Sequence, residues 1–465
     1  MMAIAEPTMR RIFDFLRADD LPVMTRPNYA AEVRHMSLWG AFANLVDGSF
    51  SSIVVAKTFH VPLLIPIVWA TPMLAHLVTF LWGIVIRGQP KIRTFVVLAT
   101  CAVLSAGSIA FTPSDWHPWG GWLFAAQVAG ARIFLSGLVT VRSSLWKSNY
   151  PQSHRAQIAG RIQSLSALLM LTVGAIVSLL FDRHAEYYRY VYPLIALVGV
   201  LSLIPLRRIR VRGERGELHR LHARLALAAR DSRWARFRHS LAEASLILKR
   251  DPAFARYCTA QYLLGSANLM VDPVLTIFLT QTLALGYFGT YLLMEQIPTA
   301  LALLTIAHWA PLFDRVGVLR FRVVNTAFWL LSFLLVTVAL LFRQTPLAGV
   351  ATISMGVLVV GRIVSGVARG GGAIAWNLGH LHFAGEHDAD LYMGIHVALT
   401  GLRGLIMAFV GTVAYKFCGA WALLLGVALA WAALAAFRRL ARGDRGASEP
   451  EGAPSDALTE PLEAT

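Results

Sequence analysis

The chain has 465 residues, 56% hydrophobic and only 15% charged, with a mean hydropathy of +0.58 and a formal net charge of +16. An average soluble domain carries about 25% charged residues, so a soluble enzyme or binding module is excluded and an integral membrane protein is implied. The excess positive charge sits between apolar runs rather than on a domain of its own, which argues against a nucleic-acid partner.

Residues 1–33 form a cytoplasmic lead-in. Met9, Ile12, Phe13 and Leu16 share one helical face flanked by Arg10, Arg11 and Arg17, a pattern that suits the headgroup layer or packing beneath a bundle. No cleavable signal peptide is visible, so the first apolar run serves as the insertion signal. Twelve runs approach the ~20 residues needed to span ~30 Å of hydrocarbon. They lie near 35–57, 61–86, 92–112, 119–146, 158–181, 189–206, 256–280, 286–311, 323–342, 347–376, 391–415 and 419–437. They group into an N-terminal six-helix bundle (34–206), a basic linker (207–252) and a C-terminal six-helix bundle (253–437). A Gly-, Pro- and Glu-rich tail over 438–465 reads as cytoplasmic and disordered. Cys101, Cys258 and Cys418 fall in or beside the runs with no pairing or metal spacing, and nothing in the sequence calls for a cofactor.

Alternate loops are strongly basic. Arg26 and Arg34, Arg87 to Arg93, the fourteen Lys or Arg of 207–256, Arg315 to Arg322 and Arg438 to Arg445 all fall on one side. That distribution predicts that both termini are cytoplasmic.

The halves repeat. Asn44 and Asp47 in span 1 match Asn268 and Asp272 in span 7; Pro72 and Trp82 in span 2 match Pro298 and Trp309 in span 8. Arg132 in span 4 and Arg362 in span 10 each precede a Trp by fourteen residues, at Trp146 and Trp376. A guanidinium at the centre of a membrane helix costs about 2.5–3.5 kcal/mol on insertion scales, so a matched pair demands a reason. At 1.5 Å per residue Asp47, Arg132, Asp272 and Arg362 all lie ~20 Å above the cytoplasmic edge, within about one turn of each other. Each half thus offers a carboxylate and a guanidinium at one depth, either a proton-coupling or substrate centre or a static pair that pins two helices.

Six spans, a cytoplasmic linker and six more in the same orientation form a parallel repeat, a transporter design. The chain resembles the major facilitator superfamily over roughly residues 30–437. The resemblance rests on that layout, on Asp314-Arg315-Val-Gly317 between spans 8 and 9, and on Arg362-Ile-Val-Ser-Gly366 in span 10. The stretches from Arg369 to His380 and from Tyr392 to Gly404 look like a poorly characterised bacterial branch of it. The resemblance implies an all-α membrane protein of twelve helices in two pseudo-symmetric bundles, with spans 1, 4, 7 and 10 lining a central cavity. Two departures weaken a drug-export reading: the loop after span 2 carries Arg87 and Gln89 but no acid, and span 5 has no Gly-Pro pair.

Asn44, Asp47, Arg132, Asn268, Asp272, Glu295, Arg362 and Arg403 are the candidate substrate or coupling residues. Asn44 and Asn268 share a face with the acids, and Glu295 is a second acid before Pro298. Arg403 sits among small residues, poised to touch solute or to clamp a carbonyl. His76 is a relay candidate or a packed neutral imidazole. Arg87, Arg142, Asp314 and Arg315 are the candidate cytoplasmic gate. His380, His382, Glu386, His387, Asp388 and Asp390 lack metal-ligand spacing and read as a polar loop. The expected function is a monomeric secondary active transporter of a small solute, anionic by the two arginines and driven by protons through Asp47 or Asp272. The alternative is a transport-inactive scaffold or sensor that keeps the fold; no nucleophile and base set supports an enzyme.

Overall fold

The computed structural model describes residues 16–86, 88–227, 233–343, 350–384 and 389–448. Every regular element among them is helical, as a bilayer requires of a chain that must satisfy its backbone internally. The principal helices are α1 (Arg26–Asp47), α2 (Phe50–Lys57), α3 (Leu64–Val85), α4 (Lys91–Gly107), α5 (Trp119–Asn149), α6 (Gln152–Arg183) and α7 (Tyr188–Leu201). The linker contributes α8 (Glu214–Leu227) and α9 (Arg233–Arg250). Then come α10 (Pro252–Ile277), α11 (Tyr287–Tyr291), α12 (Ile297–Arg343), α13 (Val350–Leu378), α14 (Ala389–Cys418) and α15 (Leu423–Ser448).

Eight helices among the described residues are long and apolar enough to cross a membrane, or nine if the bent pair Val23–Asp47 and Phe50–Lys57 counts as one crossing. Two of the eight overrun a single crossing: Tyr287–Arg343 has 57 residues and Tyr392–Gly443 has 52. Each breaks at a glycine in the left-handed region, Gly317 at φ 71° and Gly419 at φ 57°, where a side chain would be strained. The shorter helix Leu64–Thr79 is apolar as well.

Packing among the described residues gives two large cores and a small third of Trp309, Phe321 and Ala375. The first gathers Phe42, Phe50, Ile53, Val54, Phe124 and Tyr188 from α1 to α7; the second gathers Phe254, Tyr257, Leu275, Phe278, Leu340 and Phe437 from α10 to α15. Glycines set the closest approaches. A methyl at Gly366 would press on the Pro298 backbone of α12, and one at Gly411 on Met270 of α10. Across the halves, Gly401 and Gly404 of α14 receive Leu77 and Met73 of α3. This is the small-residue contact that membrane helices use to bring backbones together.

The halves are tied at the end away from the termini and linker, called distal here. Lys57 donates to the Leu285 carbonyl at 2.7 Å, and the Thr58 and Tyr287 hydroxyls meet at 2.9 Å. Asp182 accepts from the backbone amides of Tyr287 and Phe288 at 2.5 and 3.0 Å. Tyr291 and Gln296 donate to carbonyls of Met170 and Leu171 at 3.1 and 3.0 Å. Ile277, Tyr287 and Tyr291 accordingly belong to the first core although they follow the linker in sequence.

Candidate solute cavity

The two central arginines are held by backbone. In the middle of α3, Pro72 has no amide proton, so the carbonyl four residues earlier, Val68, loses its helical donor. Arg132 supplies one from Nη1 at 2.6 Å, with a second bond to the Thr71 hydroxyl at 2.6 Å. The rest of its guanidinium caps the broken end of α1, where Gly48 is extended. Nε donates to Val46 at 2.9 Å, and Nη2 to Asp47 and Gly48 at 3.2 and 3.0 Å, all backbone carbonyls. A helix end inside a membrane leaves carbonyls that neither helix nor water can satisfy, and Arg132 satisfies three of them.

The second half repeats the device. Pro298 follows a π-helical segment, Leu292–Gln296, so the carbonyls four and five residues before it, Met294 and Leu293, lack a donor. Arg362 Nε bonds Leu293 at 2.8 Å and Nη2 bonds Met294 at 2.9 Å. Trp82 and Trp309 repeat as well, donating to the Ile133 and Val367 carbonyls of the facing helices at 2.9 and 2.8 Å. These clamps correct the expectation that Arg132 faces the solute. It is 2% exposed, and none of its partners is a carboxylate. The Asp47 carboxylate is exposed and, among the described residues, makes no ion pair with Arg132.

The acids of the second half do form a network. Asp272 Oδ1 lies 3.9 Å from Arg362 Nη1. Glu295, 8% exposed, meets Arg369 Nη1 at 2.7 Å and accepts from the Thr299 hydroxyl at 3.2 Å. Arg369 follows Arg362 by seven residues, two turns along the same face of α13. That spacing is the signal in the sequence that could have found it.

Arg369 also borders a cavity of about 440 Å³ between α3, α10, α12, α13 and α14. His76, Gln261, Asn268, Arg322, Trp329, Arg369, Trp376 and Arg403 are among its walls. It lies toward the linker end, since Gln261 is near the start of α10 and Trp376 near the end of α13. Arg403 donates from Nη1 to the Gln261 carbonyl at 2.6 Å, and its guanidinium occupies the space that a side chain at Gly265 would fill. Arg403 thus clamps a carbonyl and borders the cavity. Arg322 was read as part of a short basic loop. The break at Gly317 starts the next helix early enough to bury it at 2% exposure, with Nε and Nη2 on the Tyr257 hydroxyl at 3.3 Å each.

Of the remaining candidates, Asn268 reaches the cavity, whereas Asn44 donates to the Ser166 carbonyl at 2.9 Å and joins α1 to α6 within one half. Arg142 does not reach across the halves. It stacks 5.4 Å from the Phe95 ring and approaches His35 at 3.5 Å, inside the N-terminal half. Asp314 and Arg315 are exposed at the linker end. Arg87 lies outside the described residues, as do Glu386, His387 and Asp388 of the polar loop. Among the described residues no group of three His, Cys, Asp or Glu is placed to hold a metal.

No known protein-family signature matches the chain, and no curated protein does. Solved structures match along most of its length. A D-xylose–proton symporter superposes with a TM-score of 0.64 at 14% identity, covering 90% of this chain and 98% of that one. The nucleoside transporter NupG gives 0.60 at 15% identity, covering 90% and 99%. A POT family transporter in complex with 5-aminolevulinic acid gives 0.61 at 11% identity, covering 90% and 96%. At these identities the likeness establishes the fold, and the chain is a multi-pass membrane protein of the major-facilitator fold.

Proposed function

We propose that this major-facilitator-fold protein is a secondary active transporter that moves a small anionic solute by alternating access, driven by protons. The observation that carries the reading is the combination of a closed distal end with a polar cavity between the halves toward the linker end. Such a molecule is halfway through a transport cycle, and rocking the halves about α3 and α14 would expose the same cavity to the other side. The basic loops put the linker end in the cytoplasm of a bacterial inner membrane, so this state faces inward. The protein acts as a monomer of twelve passes, and the similarity of its fold to proton-coupled and other transporters supports the same activity here.

Coupling follows from the Glu295–Arg369 pair. While Glu295 is ionised, Arg369 is neutralised by it at 2.7 Å. A proton on Glu295 weakens that pair and leaves the guanidinium, which borders the cavity, to an anion. Proton and anion then favour each other's binding, which is the linkage that symport requires. Asp272, beside Arg362, is the second member of this network.

Purified protein in proteoliposomes should accumulate an anionic solute when an inward-directed pH gradient is imposed. Glu295→Gln should still exchange the solute across the membrane but lose its response to the gradient. Gradient-driven accumulation that survives in Glu295→Gln would remove that residue from coupling; absence of any flux over a broad solute panel would leave the scaffold reading.

A further inference from the structure

Among the described residues the buried charges of the C-terminal half do not balance, and the imbalance falls on the cavity wall. Asp272 and Glu295 answer Arg362 and Arg369. Arg322 and Arg403, 2% and 7% exposed, have no carboxylate within ion-pair distance among the described residues. Among the described residues no Asp or Glu lines the cavity. Among the described residues Arg322 bonds the Tyr257 hydroxyl and lies 5.9 and 6.0 Å from the Tyr257 and Phe437 rings; Arg403 bonds one carbonyl, lies 6.0 Å from the Tyr262 ring, and has no hydrogen-bond partner at Nε. A buried guanidinium without a counter-charge costs several kcal/mol, so two of them on one wall call for an anion from outside the chain.

The rest of the wall says what that anion carries. Trp329 and Trp376 border the same space, as do Met73, Leu264 and Leu269. Gly372 keeps room beside the Trp329 indole: a side chain there would begin 3.5 Å from its Nε1. The His76 ring lies 6.5 Å from that of Trp376, tilted by 42°, and brings α3 of the other half into the wall. Inorganic phosphate or a short aliphatic acid would leave these faces unused. A flat unsaturated ring would bury them, at ~0.5–1.5 kcal/mol per aromatic pair beyond area.

We infer that the cavity recognises an aromatic carboxylate, its anionic edge on Arg322 and Arg403 and its ring between Trp329 and Trp376. This rests on the transport reading above, and it adds the chemical class of the solute. Arginine is suited to the anionic end because its planar fork matches a carboxylate in two bonds.

The test uses purified full-length protein in detergent and four probes: 2-naphthoate, its neutral counterpart 2-naphthamide, acetate and inorganic phosphate. Binding is read by tryptophan fluorescence and by thermal shift. Naphthoate should bind roughly tenfold or more tightly than naphthamide and than acetate. Arg403→Gln should close the gap between naphthoate and naphthamide, and Trp376→Leu should weaken naphthoate while leaving acetate unchanged. The parent protein alone decides the matter if either variant fails to fold. Equal affinity for naphthoate and naphthamide would overturn the charge argument, and phosphate or acetate matching naphthoate would overturn the aromatic one. Flux in proteoliposomes separates the two proposals. Naphthoate that binds but never crosses removes the transport reading and leaves the site; a neutral solute that crosses while naphthoate fails to bind does the reverse.

Discussion

Arg132 and Arg362 do the same work in the two halves, yet the acid beside each has a different fate. In the N-terminal half Arg132 commits its whole guanidinium to carbonyls, that of Asp47 among them, and one hydroxyl, and among the described residues it makes no ion pair with the exposed Asp47 carboxylate. In the C-terminal half Arg362 keeps Nη1 turned toward Asp272, and a second pair, Glu295 with Arg369, continues the network to the cavity. The duplication therefore preserved a structural part, a proline that frees a carbonyl and an arginine that recaptures it. Among the described residues, the acid paired with an arginine beside this part is found in the C-terminal half.

The largest effect should come from breaking the shared part. Arg132→Ala or Arg362→Ala leaves buried carbonyls orphaned, and the latter also strands Asp272, at a cost of about 3–5 kcal/mol by analogy with broken buried pairs. Thermal unfolding in detergent should drop sharply for both. The cause can be isolated with a second substitution. Pro298→Ala restores the backbone donor that Met294 and Leu293 lack, so Arg362→Gln should cost less in that background. The coupling should be about 1–2 kcal/mol, typical of contacting residues. Pro72→Ala should rescue Arg132→Gln less, because the Val46, Asp47 and Gly48 carbonyls still need their donor. Equal rescue in both halves would mean that proline does not explain the clamps.

A smaller effect tests the asymmetry itself. Asp272→Asn should reduce pH-driven accumulation by roughly tenfold or more, about 1.4 kcal/mol at the coupling step, whereas Asp47→Asn should leave most of it. Comparable losses in both would restore the symmetric view, in which each half carries its own coupling acid.

That symmetric view is what the sequence offered, and the reason for its partial success is physical. Periodicity and loop charge carry the helix layout, because a bilayer demands long apolar runs and sorts arginines to one side. The matched Pro72 and Pro298, Arg132 and Arg362 were visible as a repeat. What they do to each other was not, because a proline and an arginine some sixty residues apart meet only through a backbone carbonyl, which has no letter in the sequence. Arg322 was hidden for a related reason. Whether a basic residue after span 8 is loop or wall depends on where the helix restarts, and that is decided by Gly317 at φ 71°. In the sequence Arg132 and Arg362 point to an anionic solute, whereas the arginines that border the cavity are Arg322, Arg369 and Arg403.

The smallest expected effect lies at the linker end, where the halves differ again. The N-terminal half is latched from below. Asp20 of the lead-in accepts from Arg161 on α6 at 2.6 and 2.9 Å and from Gln157 at 2.5 Å, and Lys91 pairs with Glu217 of the linker at 2.9 Å. The Arg161 hydrogen bond holds the Asp20 carboxyl below its ordinary value of 3.8. A carboxylate shifted downward contributes to attachment above its ordinary value and loses that contribution as pH falls through the lowered one. The lead-in should therefore stay docked across neutral and mildly acidic pH and detach only in stronger acid. Because Asp20 is exposed, salt should weaken the latch. Hydrogen exchange of residues 16–25 reads this directly. Asp20→Asn should raise exchange there at neutral pH while leaving the Glu217 latch and the cavity unchanged. Asp314 and Arg315, exposed at the same end of the other half, form no such latch among the described residues. Alanine at both should leave exchange at the linker end as it is in this state. A change there would show that the second half is also tied down, and that the asymmetry ends at the membrane surface.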